Sequence, residues 1–148
     1  MTEFAAAEAL IRQLHAQYAD ALWRKDLTAF AQCFTPEAEW RVGDLVMRGR
    51  EEIVHEIERT LPRVHRVLLT FRTPQLELTG AGRASGRVYV TEHYAWTHRP
   101  ATTTIARYYE YYAQIADRWR ISWRLYQLLY SGPADIGGSF HENGDFEL

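Results

Sequence analysis

The sequence predicts an α+β fold in which N-terminal helices close a cone, made by a curved antiparallel sheet, around a pocket. Three observations carry this. Phe4, Ala7, Ile11, Leu14, Tyr18 and Leu22 recur every three or four positions, so at about 100° per residue they form one helical stripe facing a core. From Val64 onward the rhythm becomes strand-like, with long β-branched and aromatic runs bounded by turn-forming residues. The chain is also 14% aromatic, with five Trp, nine Tyr and six Phe. Such rings favour pockets and interfaces as well as cores, because they are large and the polar ends of Tyr and Trp need partners.

The elements follow in order. Leu27 to Phe34 reads as a short second helix, stopped by Thr35-Pro36 because proline disfavours helix in the residue before it. Glu39 to Val42 and Leu45 to Met47 flank Gly43-Asp44 as a tight hairpin. Arg48-Gly49-Arg50 then opens a helix carrying Ile53, Val54, Ile57 and Leu61 on one face, and Pro62 ends it. Four long strands complete an antiparallel meander: Val67 to Leu78, Arg83 to Thr97, Thr102 to Ile115 and Trp119 to Tyr130. Their connections are short enough for hairpins. One domain is expected over residues 1–130. The stretch 131–148, with Asp135, Glu142, Asp145 and Glu147 and no Lys or Arg, reads as an acidic tail or a lid. As a lid, it would fold Phe140, His141 and Phe146 over the cavity mouth or onto a partner subunit.

Composition excludes several classes. A length of 148 residues, 47% of them apolar, suits one soluble domain with a real core. The formal charge of −2, with basic residues scattered among acids, argues against a nucleic-acid surface. No apolar run approaches the roughly 20 residues that a bilayer span needs. The start Met-Thr-Glu-Phe lacks a secretion signal and the lone Cys33 cannot form an internal disulfide, so a cytoplasmic location is expected. There is no phosphate loop, Cys pair, His-x-x-x-His spacing or nucleophile elbow. Cofactor-free and metal-free chemistry is the expectation.

Tyr18-Ala19-Asp20-Ala21-Leu22, Phe34-Thr35-Pro36-Glu37-Ala38-Glu39-Trp40, Arg48-Gly49-Arg50-Glu51-Glu52-Ile53 and Trp119-Arg120-Ile121 stand on this order of helices and strands. Together they resemble the SnoaL-like branch of the nuclear transport factor 2-like superfamily, from about Leu10 to Tyr130. The resemblance implies a cystatin-like α+β barrel and a homodimer packed through the outer sheet face. It does not fix a function, since the superfamily hosts dehydratases, dehydrochlorinases, isomerases, polyketide cyclases, dioxygenase small subunits and non-catalytic modules. Its dehydratases and dehydrochlorinases use a His held by an Asp of the first helix. Here Trp23 occupies the position resembling that Asp, and indole cannot accept a hydrogen bond from imidazole. His65 enters the first long strand about where the base resides, although a one-residue slip would turn it outward.

Tyr108 resembles an inward polar position of scytalone dehydratase, and Glu110 shares its face because strand side chains repeat every two residues. A carboxyl between Tyr108 and Tyr112 in an apolar cone would be desolvated and its pKa raised, as suits a proton shuttle. Alternatively, Glu110 pairs with Arg107, Arg120 or Arg124 on the sheet surface. Arg107, Tyr109, Tyr111, Arg120, Ser122, Arg124 and Tyr126 read as the outer, interface-forming face. The candidate catalytic residues are thus Tyr18, His65, Tyr108 and Glu110. Leu22, Trp23, Trp40, Tyr94 and Trp123 are the expected walls for an apolar or aromatic oxygenated ligand. The function expected is dehydration, isomerisation or cyclisation by proton transfer. The alternative is a ligand-binding or assembly module, which a cavity plugged by Trp23 and Trp40 would favour.

Overall fold

The computed structural model describes residues 1–135 together with 139, 141 and 143. Helix α1 spans Glu3–Arg24; Thr2 Oγ1 caps it by accepting from Ala5 N at 3.0 Å, and Lys25 ends it in the left-handed region at φ 57°. It buries Ala7, Ile11, Leu14, His15, Tyr18, Ala21 and Leu22, and burying each large apolar side chain contributes about 1.5–3 kcal/mol. Phe4 stands at the stripe's start, in the first turn, and is exposed. Helix α2, Leu27–Ala31, is capped by Asp26 and is shorter than predicted. The chain is already extended at Phe34, where β1 (Phe34–Val42) begins. Phe34 and Phe30 pack at tilted angles in one aromatic cluster with Tyr18, which ties α1, α2 and β1 together.

Strand β2, Leu45–Arg48, closes the predicted hairpin, with Gly43 supplying φ 57° in its turn. Helix α3, Arg50–Thr60, follows, then a 3-10 turn over Leu61–Arg63. The remaining strands are β3 (Val64–Phe71), β4 (Gln75–Gly80), β5 (Arg83–Trp96), β6 (Thr102–Ile115) and β7 (Arg118–Pro133). The first predicted long strand is therefore two. Pro74 has no N–H for a ladder, and the chain breaks there, so that β3 pairs with the second half of β5 and β4 with its first half. Strand β7 continues three residues past Tyr130, into the segment expected to be a tail. Phe140 and Phe146, the expected lid residues, lie outside the described residues.

The sheet order is β2-β1-β7-β6-β5-β3, with β4 also on β5. All pairs are antiparallel except β1 with β7, so the curved sheet is mixed; it is also open rather than closed into a barrel. Strands β1 and β7 are far apart in sequence, and no hairpin forces them antiparallel. Helices α1 and α3 pack on the concave side.

The β6–β7 turn places Ala116 at φ 49° and Asp117 at φ 63°, a pairing that favours Gly, which has no Cβ, and Asn, whose short polar side chain can hydrogen-bond locally, over Ala. Ala116→Asn should raise stability by about 0.5–1 kcal/mol, seen as roughly 2–4 °C in melting temperature. No gain on melting would mean that the turn is not strained by Ala116.

Candidate active site

A cavity of about 330 Å³ opens between α1, the β1–β2 hairpin, α3 and the concave face of the sheet. Leu22, Trp40, Met47, Ile57, Val67 and Trp96 make it mainly apolar, while its polar groups are Tyr18, Tyr94, Tyr108, Tyr126, Thr60, Glu56 and Glu92. Trp40 stands at 6.0 Å, ring to ring, from Phe34 and at 6.2 Å from Tyr108, as a wall rather than a plug. The structure thus brings Tyr18, Tyr108, Leu22, Trp40 and Tyr94 together.

Four predicted site residues stand elsewhere: His65, Trp23 and Trp123, each for a local reason, and Glu110, which is drawn into a buried ion pair. The pairing of β3 with β5 shifts between Val64 and Arg66, and this extra residue turns His65 outward while Val64 and Val67 face in. His65 is exposed and does not line the cavity. Trp23 is one residue, about 100°, past Leu22 on α1, which carries it off the buried stripe; it is half-buried beneath the Arg66 guanidinium, 5.5 Å from its ring. Trp123 also points away. The β6–β7 pairing shifts between Tyr111 and Tyr112, so Trp119 and Ile121 face in, then the parity inverts. Trp123 accordingly packs on Tyr111 on the outer face and donates to Glu39.

The same bulge turns Arg124 and Tyr126 inward, against the expectation that they belong to the outer face. Arg124 is fully buried, its Cζ 3.9 Å from the Tyr108 ring centroid, 4.6 Å from Tyr18 and 4.8 Å from Trp40. A cation amid these rings is stabilised by their quadrupoles. Its ion pair is with Glu110, Nε donating to Oε2 at 2.7 Å. Glu110 Oε1 accepts from Tyr112 Oη at 2.8 Å and lies 2.7 Å from His15 Nε2.

Glu110 is thus paired, as one reading of the sequence had it, but in the interior behind the cavity wall rather than on the surface. Burial alone would raise its pKa. The Arg124 charge, then His15 and the hydrogen bond from Tyr112, outweigh burial and hold it at about 2, so the raised pKa expected for a shuttle is corrected. Because an ionised carboxylate only accepts, His15 Nε2 carries the proton between them. The Tyr18 hydroxyl is pushed up to about 12 by burial, opposed by Arg124.

Glu92 and Glu56 are ionisable lining residues that sequence reasoning passed over, and Glu92 is the buried one. Glu92 sits on the inward parity of β5 with Val88, Val90 and Tyr94, which was the available signal. It is 4% exposed and borders the cavity. Tyr94 Oη donates to its Oε2. Burial raises its pKa above the usual carboxylate value, against the neighbouring Tyr94, Tyr126, Thr104 and Arg124. His15, another buried polar residue, was legible as the position four after Ile11 on the helical stripe. Among the described residues, no group of three or more His, Cys, Asp and Glu is placed to hold a metal ion, and no helix is long and apolar enough to cross a membrane.

Helices folded onto a curved, open sheet, with an aromatic-lined pocket between them, define the class: a small α+β domain. The chain belongs to the SnoaL-like domain family, whose model matches residues 3–124. Among solved structures, a scytalone dehydratase-like protein from Novosphingobium aromaticivorans superposes with a TM-score of 0.83 at 15% identity, over 95% of this chain and 100% of that one. The hexachlorocyclohexane dehydrochlorinase LinA-type3 from Novosphingobium barchaimii gives 0.79 at 20% identity, over 94% and 97%. A Caulobacter vibrioides protein with a cystatin-like fold gives 0.70 at 19%, over 82% and 89%. These likenesses are of fold. A search of curated proteins finds no match to the sequence.

Proposed function

We propose that this chain is a cofactor-independent enzyme that moves protons on an apolar or aromatic, oxygen-bearing small molecule, by dehydration, isomerisation or cyclisation. The observation that carries this reading is the mainly apolar pocket lined by four tyrosines and two glutamates. Trp23 lies outside the cavity and Trp40 is one of its walls, which favours turnover over a plugged assembly module. The scytalone dehydratase-like and dehydrochlorinase neighbours are consistent with elimination chemistry on this fold. We also propose a cytoplasmic homodimer, packed through the outer face that carries Tyr89, Tyr109, Tyr111 and Trp123.

Thermal-shift screening with aromatic and steroid-like ketones and alcohols tests the ligand class. A ligand at about 100 times its Kd adds about 2.7 kcal/mol, so the melting temperature should rise by roughly 5–10 °C. Met47→Trp, which fills the cavity, should remove that response. A flat response across the panel with the wild-type protein would remove the cavity reading.

A further inference from the structure

We infer that the groove between α1 and β3 is a second binding site, and that its ligand is a small organic anion, a carboxylate or phosphate carried on an apolar body. The groove has a volume of about 610 Å³ and shares no lining residue with the aromatic cavity. It is a separate place on the molecule. Strand β3 is the last of the sheet, and α1 packs across it. Arg12, Gln13 and His15 line the groove from the helix, while Thr70, Arg72 and Thr73 line it from β3 and the two residues that follow.

Charge is the first support. On a chain of net charge −2, two guanidiniums and an imidazole line a groove whose lining contains no Asp or Glu. Among the described residues neither Arg12 nor Arg72 has an acidic partner, and the Arg72 guanidinium donates to the Thr91 hydroxyl instead. Uncompensated cations beside one concavity raise the local concentration of anions. The planar fork of a guanidinium matches the oxygens of a carboxylate or phosphate two at a time, so the head group follows from the residue type. The apolar body has a place as well. Ala9, Ala16 and Ala19 keep the helix side of the groove free of bulk, and Leu69 and Phe71 add apolar surface from the strand.

His15 is the second support, as the buried member of the lining. It is 2% exposed, its Nε2 lies 2.7 Å from Glu110 Oε1, and its ring stacks on Phe71 with 4.7 Å between centroids. The imidazole is therefore held in place before any ligand arrives, which spares binding the cost of ordering it. Its Nδ1 makes no hydrogen bond. Native structures keep few buried polar atoms in that condition, so this nitrogen marks a lining that the protein's own groups leave incomplete. It is also a reporter, because with no protein partner of its own it responds to what fills the groove.

The experiment is isothermal titration of the full chain with 2-naphthoate, 2-naphthyl phosphate, the neutral 2-naphthalenemethanol and inorganic phosphate. Both naphthyl anions should bind, and more weakly as salt rises, because exposed charges are screened beyond about 8 Å at physiological ionic strength. The tighter of the two identifies the head group. The neutral alcohol lacks the charge and inorganic phosphate lacks the apolar body, so each should bind at least about 10-fold more weakly. Arg12→Gln and Arg72→Gln change exposed residues, so the fold should stand while each weakens the anions about 10-fold. Naphthyl rings also suit the aromatic cavity, so the titrations are repeated with Met47→Trp, which fills that cavity and should leave anion affinity unchanged. The 15N resonance of His15 Nδ1 should move on saturation. Anions that fail to bind, an alcohol that binds as tightly, or affinity kept in both arginine variants would overturn the inference. So would binding that is lost in Met47→Trp. None of these results touches the cavity reading, which the ketone and alcohol panel tests by itself.

Discussion

Replacing Arg124 by Met should destabilise the fold by about 3–5 kcal/mol, lowering the melting temperature by roughly 10–15 °C. Methionine has nearly the right length and can pack among the Tyr18, Trp40 and Tyr108 rings. The loss therefore comes from electrostatics. Glu110 would be left fully buried with His15 and Tyr112 but without the guanidinium that offsets its desolvation. The double variant Arg124→Met with Glu110→Gln should recover part of the loss, because no unpaired charge then remains inside. Thermal melts of the two singles and the double make a cycle. A single Arg124→Met variant within 1 kcal/mol of the parent would show that the pair is dispensable.

Acid should unfold the protein through the same carboxylate. Glu110 titrates at about 2 in the fold against an ordinary value of 4.5, so the unfolded chain binds the proton more readily. A depressed folded pKa gives stability that is present above pH 4.5 and lost as the pH falls from there toward 2. The difference corresponds to roughly 3 kcal/mol. Glu92 acts with the opposite sign. Its folded pKa is raised, so the folded state binds the proton more readily, and stability increases as the pH falls from neutrality toward 4.5. Stability followed by urea titration at successive pH values should rise gently on acidification and then drop below about pH 4.5. Glu92→Gln should flatten the rise, and Glu110→Gln should remove much of the drop while lowering stability at neutral pH. A wild-type profile flat from pH 5 to 2.5 would contradict the assignment of Glu110 as a buried anion.

The sequence was most informative where structure is local. The helical stripe placed Tyr18 and Leu22 inward, since a 3.6-residue period needs no knowledge of partners. Two-residue alternation likewise put Tyr108, Glu110 and Tyr112 on the inner face of β6, and Val88, Val90 and Tyr94 on that of β5. Glu92 shared that parity and was still overlooked, because a lone acid in a strand carries no sign of whether it ends in water or in a cavity. Alternation failed where a strand carries an extra residue: near His65 on β3 and near Ser122 on β7. Each bulge inverts every facing beyond it, which sent His65 and Trp123 out and brought Arg124 and Tyr126 in.

The sequence by itself determined the α+β class and membership of the SnoaL-like family, both of which rest on periodicity and on residues near one another in the chain. Only the tertiary structure decided the charge state of each buried carboxyl. His15 and Arg124, 95 and 14 residues from Glu110, fix that group as an anion behind the wall, while burial raises the pKa of Glu92 at the edge of the cavity. The charge state of a buried acid is set by what is packed against it, and those neighbours come together only when the sheet curves and the first helix lies across it.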